Sequence, residues 1–215
     1  MQNNRSIQRC LAILRSFKLS GRPTLAELSR AVELPHPTVL RFLLTLEEEG
    51  YVVREAGRWR LTTRMLELGF AAMDSLGVDD AVNELLHGLA DAYSGTSNLG
   101  EAHPEGAVIL SRAMASAERR RLVVMNLRVG SVLPPGSALA DALVQSTGES
   151  SRKTYPDSDQ ISLAVPVLGV HGRQLSLGVS ASNTVLKSAD EERELLAALR
   201  CKADDIARIL QAAPI

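Results

Sequence analysis

Aromatic residues, cysteines and long apolar runs are all scarce in this chain, and each scarcity removes a class of protein. Phe, Trp and Tyr make up 3% of the 215 residues, so any core must be built from Leu, Val, Ile and Ala. No stretch approaches the roughly eighteen consecutive apolar residues that a membrane span requires. The N-terminus MQNNRSIQRC has no apolar segment resembling a signal peptide. Membrane-spanning and secreted proteins are therefore not expected. Cys10 and Cys201 lie at opposite ends of the chain with no CxxC pair or histidine cluster beside them. That disfavours a disulfide scaffold and a zinc finger, and it fits a reducing cytoplasm.

Enzyme signatures are missing too. No GxSxG, Walker or GxGxxG pattern occurs, and His36, His87, His103 and His171 are scattered. Glu84 and His87 stand three apart on an expected surface helix, without the further ligands a metal needs. No catalytic residue, metal site or cofactor is expected.

The formal net charge of -1 argues at first against nucleic acid, because DNA binding depends on Lys and Arg neutralising phosphates. That average conceals a gradient. Residues 1–64 carry 11 Arg and Lys against 6 Asp and Glu, whereas residues 65–215 carry 13 against 19. Such asymmetry suggests a nucleic-acid-binding part joined to an acidic part.

Apolar residues at three-to-four spacing predict a helix over 6–19, ending before Gly21-Arg22-Pro23. Thr24 followed by Glu27 forms a capping box for a short second helix with Leu25, Leu28 and Val32 on its apolar face. A third helix opens with Pro37 in its first turn and runs to Gly50. Its inner face is expected to be Val39, Phe42, Leu43 and Leu46, with His36, Pro37, Thr38, Leu40, Arg41 and Thr45 outward. Residues 51–53 and 59–61 then read as a hairpin around a glycine-containing turn.

This is the element order of a winged helix-turn-helix domain. There the third helix enters the major groove and the hairpin reaches the adjacent backbone. Arg41 is the best candidate for a guanine edge or a phosphate, Arg54, Arg58 and Arg60 on the hairpin suit phosphate contacts, and Thr24 joins the outward residues of the third helix as an expected DNA contact. The acidic run 47–49 would keep the far end of the third helix off the duplex. The pattern alone leaves a winged-helix protein-interaction adaptor equally open.

The strings 6–14 (SIQRCLAIL), 24–28 (TLAEL), 34–46 (LPHPTVLRFLLTL) and 50–52 (GYV) resemble the N-terminal domain of the IclR family of bacterial transcriptional regulators. The resemblance implies a double-stranded DNA operator, near-palindromic, addressed by a homodimer that is often paired into a tetramer. His36 and Pro37 depart from the small or basic residues usual there, so the operator sequence does not carry over. Residues 62–76 read as one helix with an unpartnered apolar stripe. The family's linker helix, which joins the domains and contributes to dimerisation, occupies this place. The alternative is a helix packed on its own DNA-binding domain.

The remainder, 77–215, reads as an antiparallel sheet flanked by helices. Helices are expected over 78–92, 137–145 and 189–212, and strands over 96–102, 107–111, 122–125, 161–167 and 175–181. Along the last two strands Ser162, Ala164, Ser176, Gly178, Ser180 and Ser182 make one small, hydroxyl-bearing face. From pattern alone this is more simply a solvated sheet face than a ligand site. The order resembles the GAF-like effector domain of the IclR family, whose pockets are lined at positions matching Ala138, Leu139, Ser162, Ser180 and Ser182. The family's effectors are small organic acids; Arg112, Arg119, Arg120, Arg121 or Arg128 could pair with a carboxylate, although Arg119 to Arg121 read more simply as a solvated loop.

The family carries several dozen more residues between its counterparts of Leu143 and Ile161. Here only the polar segment 144–160 fills the gap, and it reads as a flexible stretch. A pocket short of one wall either takes a different ligand, takes one only when a second subunit closes it, or takes none, which leaves a non-sensing dimerisation domain. The expected fold is α+β: a winged helix-turn-helix domain (1–61), a linker helix (62–76) and a truncated effector-binding and oligomerisation domain (77–215).

Overall fold

The computed structural model describes residues 3–116, 127–144, 148–155, 159–170 and 172–212, and they form two compact units, 1–72 and 73–215. The strand expected over 122–125 lies outside the described residues, as do Arg119, Arg120, Arg121 and His171.

The first unit holds α1 (Arg5–Ser16), α2 (Leu25–Ala31), α3 (His36–Glu48) and the hairpin β1 (Val52–Glu55) and β2 (Arg58–Leu61). Each helix start is sealed by local chemistry. Asn4 accepts the backbone N–H groups of Ser6 and Ile7, and Thr24 and Glu27 complete their capping box in both directions. Gly50, at φ +76°, ends α3 by letting Tyr51 N–H donate to Leu46 O at 2.8 Å. Ala56 and Gly57 both take positive φ, which closes the hairpin in the sense that matches strand twist. Ile13, Leu28, Val39, Leu43, Val52 and Trp59 are buried together as the core.

Two expectations for α3 need correction. Phe42 and Leu46 are half-buried rather than buried, and Leu40, expected outward, packs against the core. A thirteen-residue helix crossing a core this small turns more than one stripe of side chains towards it.

The boundary between the units falls within α4 (Arg64–Ser75), which has no buried residue. In the second unit, α5 (Asp80–Ala92) and the strands β3 (Thr96–His103), β4 (Gly106–Met114) and β5 (Val132–Leu133) come first. Then follow α6 (Ala138–Val144), β6 (Ser151–Tyr155), β7 (Gln160–Val167), β8 (Leu175–Ser182) and α7 (Ala189–Ala212). The six strands form one antiparallel sheet in the order β5-β4-β3-β8-β7-β6.

Alternation gives this sheet two unlike faces. Leu163, Val165, Leu177 and Val179 pack with Val82, Leu86, Leu195 and Leu199 of α5 and α7 as the main core. The small face is covered by α6. Ala138, Ala142 and Ala164 pack together, and Ser176 Oγ donates to Leu139 O at 2.9 Å. The simpler reading of this face as a solvated one is thereby corrected. Ser162, Ala164, Ser176, Gly178 and Ser182 are all buried.

The segment 144–160 is also not just a flexible filler. Within it β6 pairs with β7 along its whole length, from Ser151 opposite Ala164 to Tyr155 opposite Gln160. Charged Arg152 and Lys153 suit an edge strand, and Arg152 forms a two-pronged ion pair with Glu192 of α7 at 2.9 Å.

Candidate functional site

Two sets of side chains are candidates for function, one in each unit. In the first unit, His36, Pro37, Arg41 and Thr45 are exposed on α3, and Thr38 is half-buried. Thr45 Oγ1 donates to the backbone carbonyl of Arg41 at 3.1 Å, and the Arg41 guanidinium has no ion pair among the described residues. Thr24 is spent on its capping box, its hydroxyl 3.2 Å from Glu27 N and its own N–H 2.7 Å from Glu27 Oε2.

The three hairpin arginines divide sharply. Arg60 grips Glu55 through Nε at 3.0 Å and Nη2 at 2.6 Å, and this partner holds the Glu55 carboxyl below the usual range. Arg58 donates to Arg22 O at 2.9 Å and stands 3.6 Å from Glu27, so it ties the hairpin to the start of α2. Arg54 lies over the buried Trp59 ring, 5.8 Å from its centre, with its guanidinium free of carboxylates among the described residues. Of the four arginines expected to face DNA, Arg41 and Arg54 are thus the ones free to meet a phosphate. Arg64 was not singled out from the sequence. It donates to Glu49 O at 2.8 Å and lies over Tyr51, clamping the end of α3.

The second set surrounds a cavity of about 400 Å³ between α6 and the small face of the sheet. That volume is in the ordinary range for a small-molecule site. All five positions expected from the family pattern, Ala138, Leu139, Ser162, Ser180 and Ser182, line it. The register explains the grouping, since Thr96, Ser180 and Ser162 lie side by side on β3, β8 and β7, and Asn98, Gly178 and Ala164 do so two residues on. Gly178 keeps the floor low. A Cβ there would stand 3.0 Å from both Ala164 Cβ and Leu163 O.

The cavity's polar groups form a graded wall. Ser162 Oγ and Ser180 Oγ share a hydrogen bond of 2.6 Å, and Ser182 Oγ stands 2.9 Å from Thr184 Oγ1. Asp159 accepts from Asn183 Nδ2 at 2.7 Å at the cavity's rim. Tyr155, Asp159 and Gln160, from the short segment expected to leave a wall missing, line the cavity instead. Sequence reasoning missed them because the segment's polarity hid its pairing with β7.

Of the arginines offered for a carboxylate, Arg112 lines this cavity. Its Nη1 donates to Asn98 Oδ1 at 2.6 Å, while burial pushes its pKa down. Arg128 is exposed. Asn98 carried no signal in the sequence beyond its place on an expected strand.

Comparison with known proteins places both sites in context. Residues 6–56 match the model of the IclR helix-turn-helix domain. The Pca regulon regulatory protein of Pseudomonas putida is 26% identical over 152 residues, 70% of this chain and 51% of that protein. This chain thus spans about half the length of that curated relative. The crystal structure of an IclR family transcriptional regulator from Brucella abortus superposes with a TM-score of 0.79 at 20% identity, covering 96% of this chain and 93% of that one. An IclR homologue from Microbacterium hydrocarbonoxydans complexed with 4-hydroxybenzoate has a TM-score of 0.73 at 16% identity, covering 96% and 99%.

Proposed function

We propose that this chain is a transcriptional regulator of IclR type that binds an operator in double-stranded DNA and responds to a small organic acid. The DNA-binding part of the reading is carried by α3, whose exposed N-terminal half presents His36, Pro37, Thr38 and Arg41, with Thr45 one turn on. Arg54 supplies a phosphate contact from the hairpin. Thr24, Arg58, Arg60 and Leu40 support the surface through the contacts they make within the unit.

The sensing part rests on the cavity. A 400 Å³ space floored by Gly178, walled by hydroxyls and lined by Arg112 suits a small acid with a second polar group. The 4-hydroxybenzoate complex of the related structure supports this class of ligand. Leu66, Leu68 and Phe70 on α4 are 56%, 55% and 65% exposed, which supports a homodimer, or a tetramer built from two, joined partly through this helix. Such a protein works in the cytoplasm, beside the chromosome.

The test is to select bound fragments from the source genome with the full chain and then titrate 4-hydroxybenzoate and other small carboxylates into the complex. Enrichment of one near-palindromic sequence, with affinity altered by an acid, is the expected result. Binding without sequence preference would overturn the operator reading and leave the adaptor alternative standing.

A further inference from the structure

We propose that Arg112 is the carboxylate-reading residue of the cavity and that Asn98 is the positioning residue that aims it. The inference rests on the sensing role just proposed and adds the group that selects the ligand's charge.

Arg112 sits on β4 directly opposite Asn98 on β3, and both line the cavity. A guanidinium offers five N–H donors in a rigid fork and accepts nothing. One nitrogen, Nη1, is held by Asn98 Oδ1 at 2.6 Å. Nε is covered from solvent and has no hydrogen-bond partner, and no carboxylate lies within ion-pair distance among the described residues. Arg173, the other half-buried arginine among the described residues of this unit, is treated differently, pairing with Glu101 at 2.7 Å and donating to Leu76 O.

A covered cation without an anion is costly, because it gives up water and receives no opposite charge in return. Sites that tolerate this cost are ones where a ligand supplies the missing charge. The cavity provides room for one, and a carboxylate matches the fork of the guanidinium. The opposite wall lacks a second cation among its described residues and offers hydroxyls instead, Ser162 and Ser180 in hydrogen-bond contact at 2.6 Å. An acid with its carboxylate towards Arg112 therefore places its far end against neutral donors and acceptors. A dicarboxylate would set its second charge against hydroxyls and the Asp159 rim, so monoacids with a neutral polar tail are favoured.

The experiment compares the full chain with Arg112→Gln, Arg112→Lys and Asn98→Ala, using 4-hydroxybenzoate and its neutral amide as calorimetric probes. The expected result is that the intact protein prefers acid to amide, that Arg112→Gln lowers acid affinity at least tenfold with amide affinity changed less than threefold, and that Arg112→Lys falls between. Asn98→Ala should weaken the acid by a smaller factor. Without ligand, Arg112→Gln should melt at or above the temperature of the intact protein, a result that a purely structural arginine would not give. If the intact protein binds the acid and Arg112→Gln binds it equally well, the carboxylate is read elsewhere and the assignment is overturned while the sensing role stands. If the intact protein binds neither 4-hydroxybenzoate nor any of a panel of small monocarboxylates, both are overturned.

Discussion

Ser162 and Ser180 meet across β7 and β8 with their hydroxyl oxygens 2.6 Å apart, at the centre of the wall that faces α6. Their contact is what turns a face of small side chains into a polar surface. It also makes the space above them easy to fill by substitution. Ser180→Phe would project a ring into a cavity of about 400 Å³ and remove one hydrogen bond, at a stability cost of about 1 kcal/mol. The expected outcome is a protein that still unfolds cooperatively but whose melting temperature no longer rises with 4-hydroxybenzoate. A retained thermal response would place ligand binding elsewhere in the chain.

The arginines of the first unit give a graded prediction for DNA. Arg41 and Arg54 are free of carboxylates among the described residues, whereas Arg60 is held by Glu55 in two hydrogen bonds. Arg41→Ala should weaken operator binding by about 1–3 kcal/mol, or roughly 5- to 150-fold, as for loss of a base or close phosphate contact. Arg54→Ala should cost less and reduce the salt dependence by about one phosphate contact. Arg58→Ala should also weaken binding, by loosening the hairpin from α2. A mobility-shift titration at several salt concentrations separates these. Equal losses for Arg60→Ala and Arg41→Ala would contradict the division drawn from their partners.

Much of this was legible from the sequence where local chemistry decides the structure. The Thr24–Glu27 capping box, the Gly50 stop and the alternation along β7 and β8 each act through near neighbours, and each stands where pattern puts it. What the pattern could not reveal depends on partners distant in sequence. The pairing of β6 with β7, the turning of Leu40 towards the core, and the Arg58 contact with Arg22 and Glu27 all arise from tertiary packing. Arg112 is the sharpest case. Of the arginines that the sequence offered for a carboxylate, two lie among the described residues, and the register that sets Arg112 opposite Asn98 separates it from exposed Arg128.

The carboxylates predict how stability responds to acid. Glu27, Glu55, Glu191, Glu192 and Asp205 are all held below their ordinary values: Glu27 and Glu191 chiefly by backbone N–H donors, Glu55 by Arg60, Glu192 by Arg152 and Asp205 by Lys202. A folded pKa below the unfolded one means the unfolded chain binds protons first. Stability from these groups is therefore complete above the unfolded values, near 4.5 for glutamate, and is lost as pH falls through the depressed folded values. The melting temperature should hold between pH 7 and pH 5 and then drop, and Glu27→Gln should make the drop shallower. A melting temperature that rises on acidification below pH 4.5 would refute the assignment.

The last prediction concerns assembly and follows from a helix that buries nothing of its own. Leu66, Phe70 and half-buried Met73 recur at spacings of four and three along α4, so they share one face, yet Leu66 and Phe70 remain 56% and 65% exposed. Exposed surface positions tolerate substitution within about 0.5 kcal/mol. Leu66→Glu with Phe70→Glu should therefore leave the fold of both units intact. If this face is the homodimer contact, light scattering on the eluting protein should show the paired variant shifted to half the mass of the parent at equal concentration. The consequence for DNA is separate and larger. Two recognition units joined in one molecule engage a near-palindrome with the second binding event made intramolecular, which raises avidity by two orders of magnitude or more, roughly 10²–10⁴. The monomeric variant should lose that factor on the full palindrome while keeping the parent's affinity for a single half-site. Unchanged mass with unchanged affinity would move the dimer contact off α4 and leave its exposed leucines and phenylalanine to another partner.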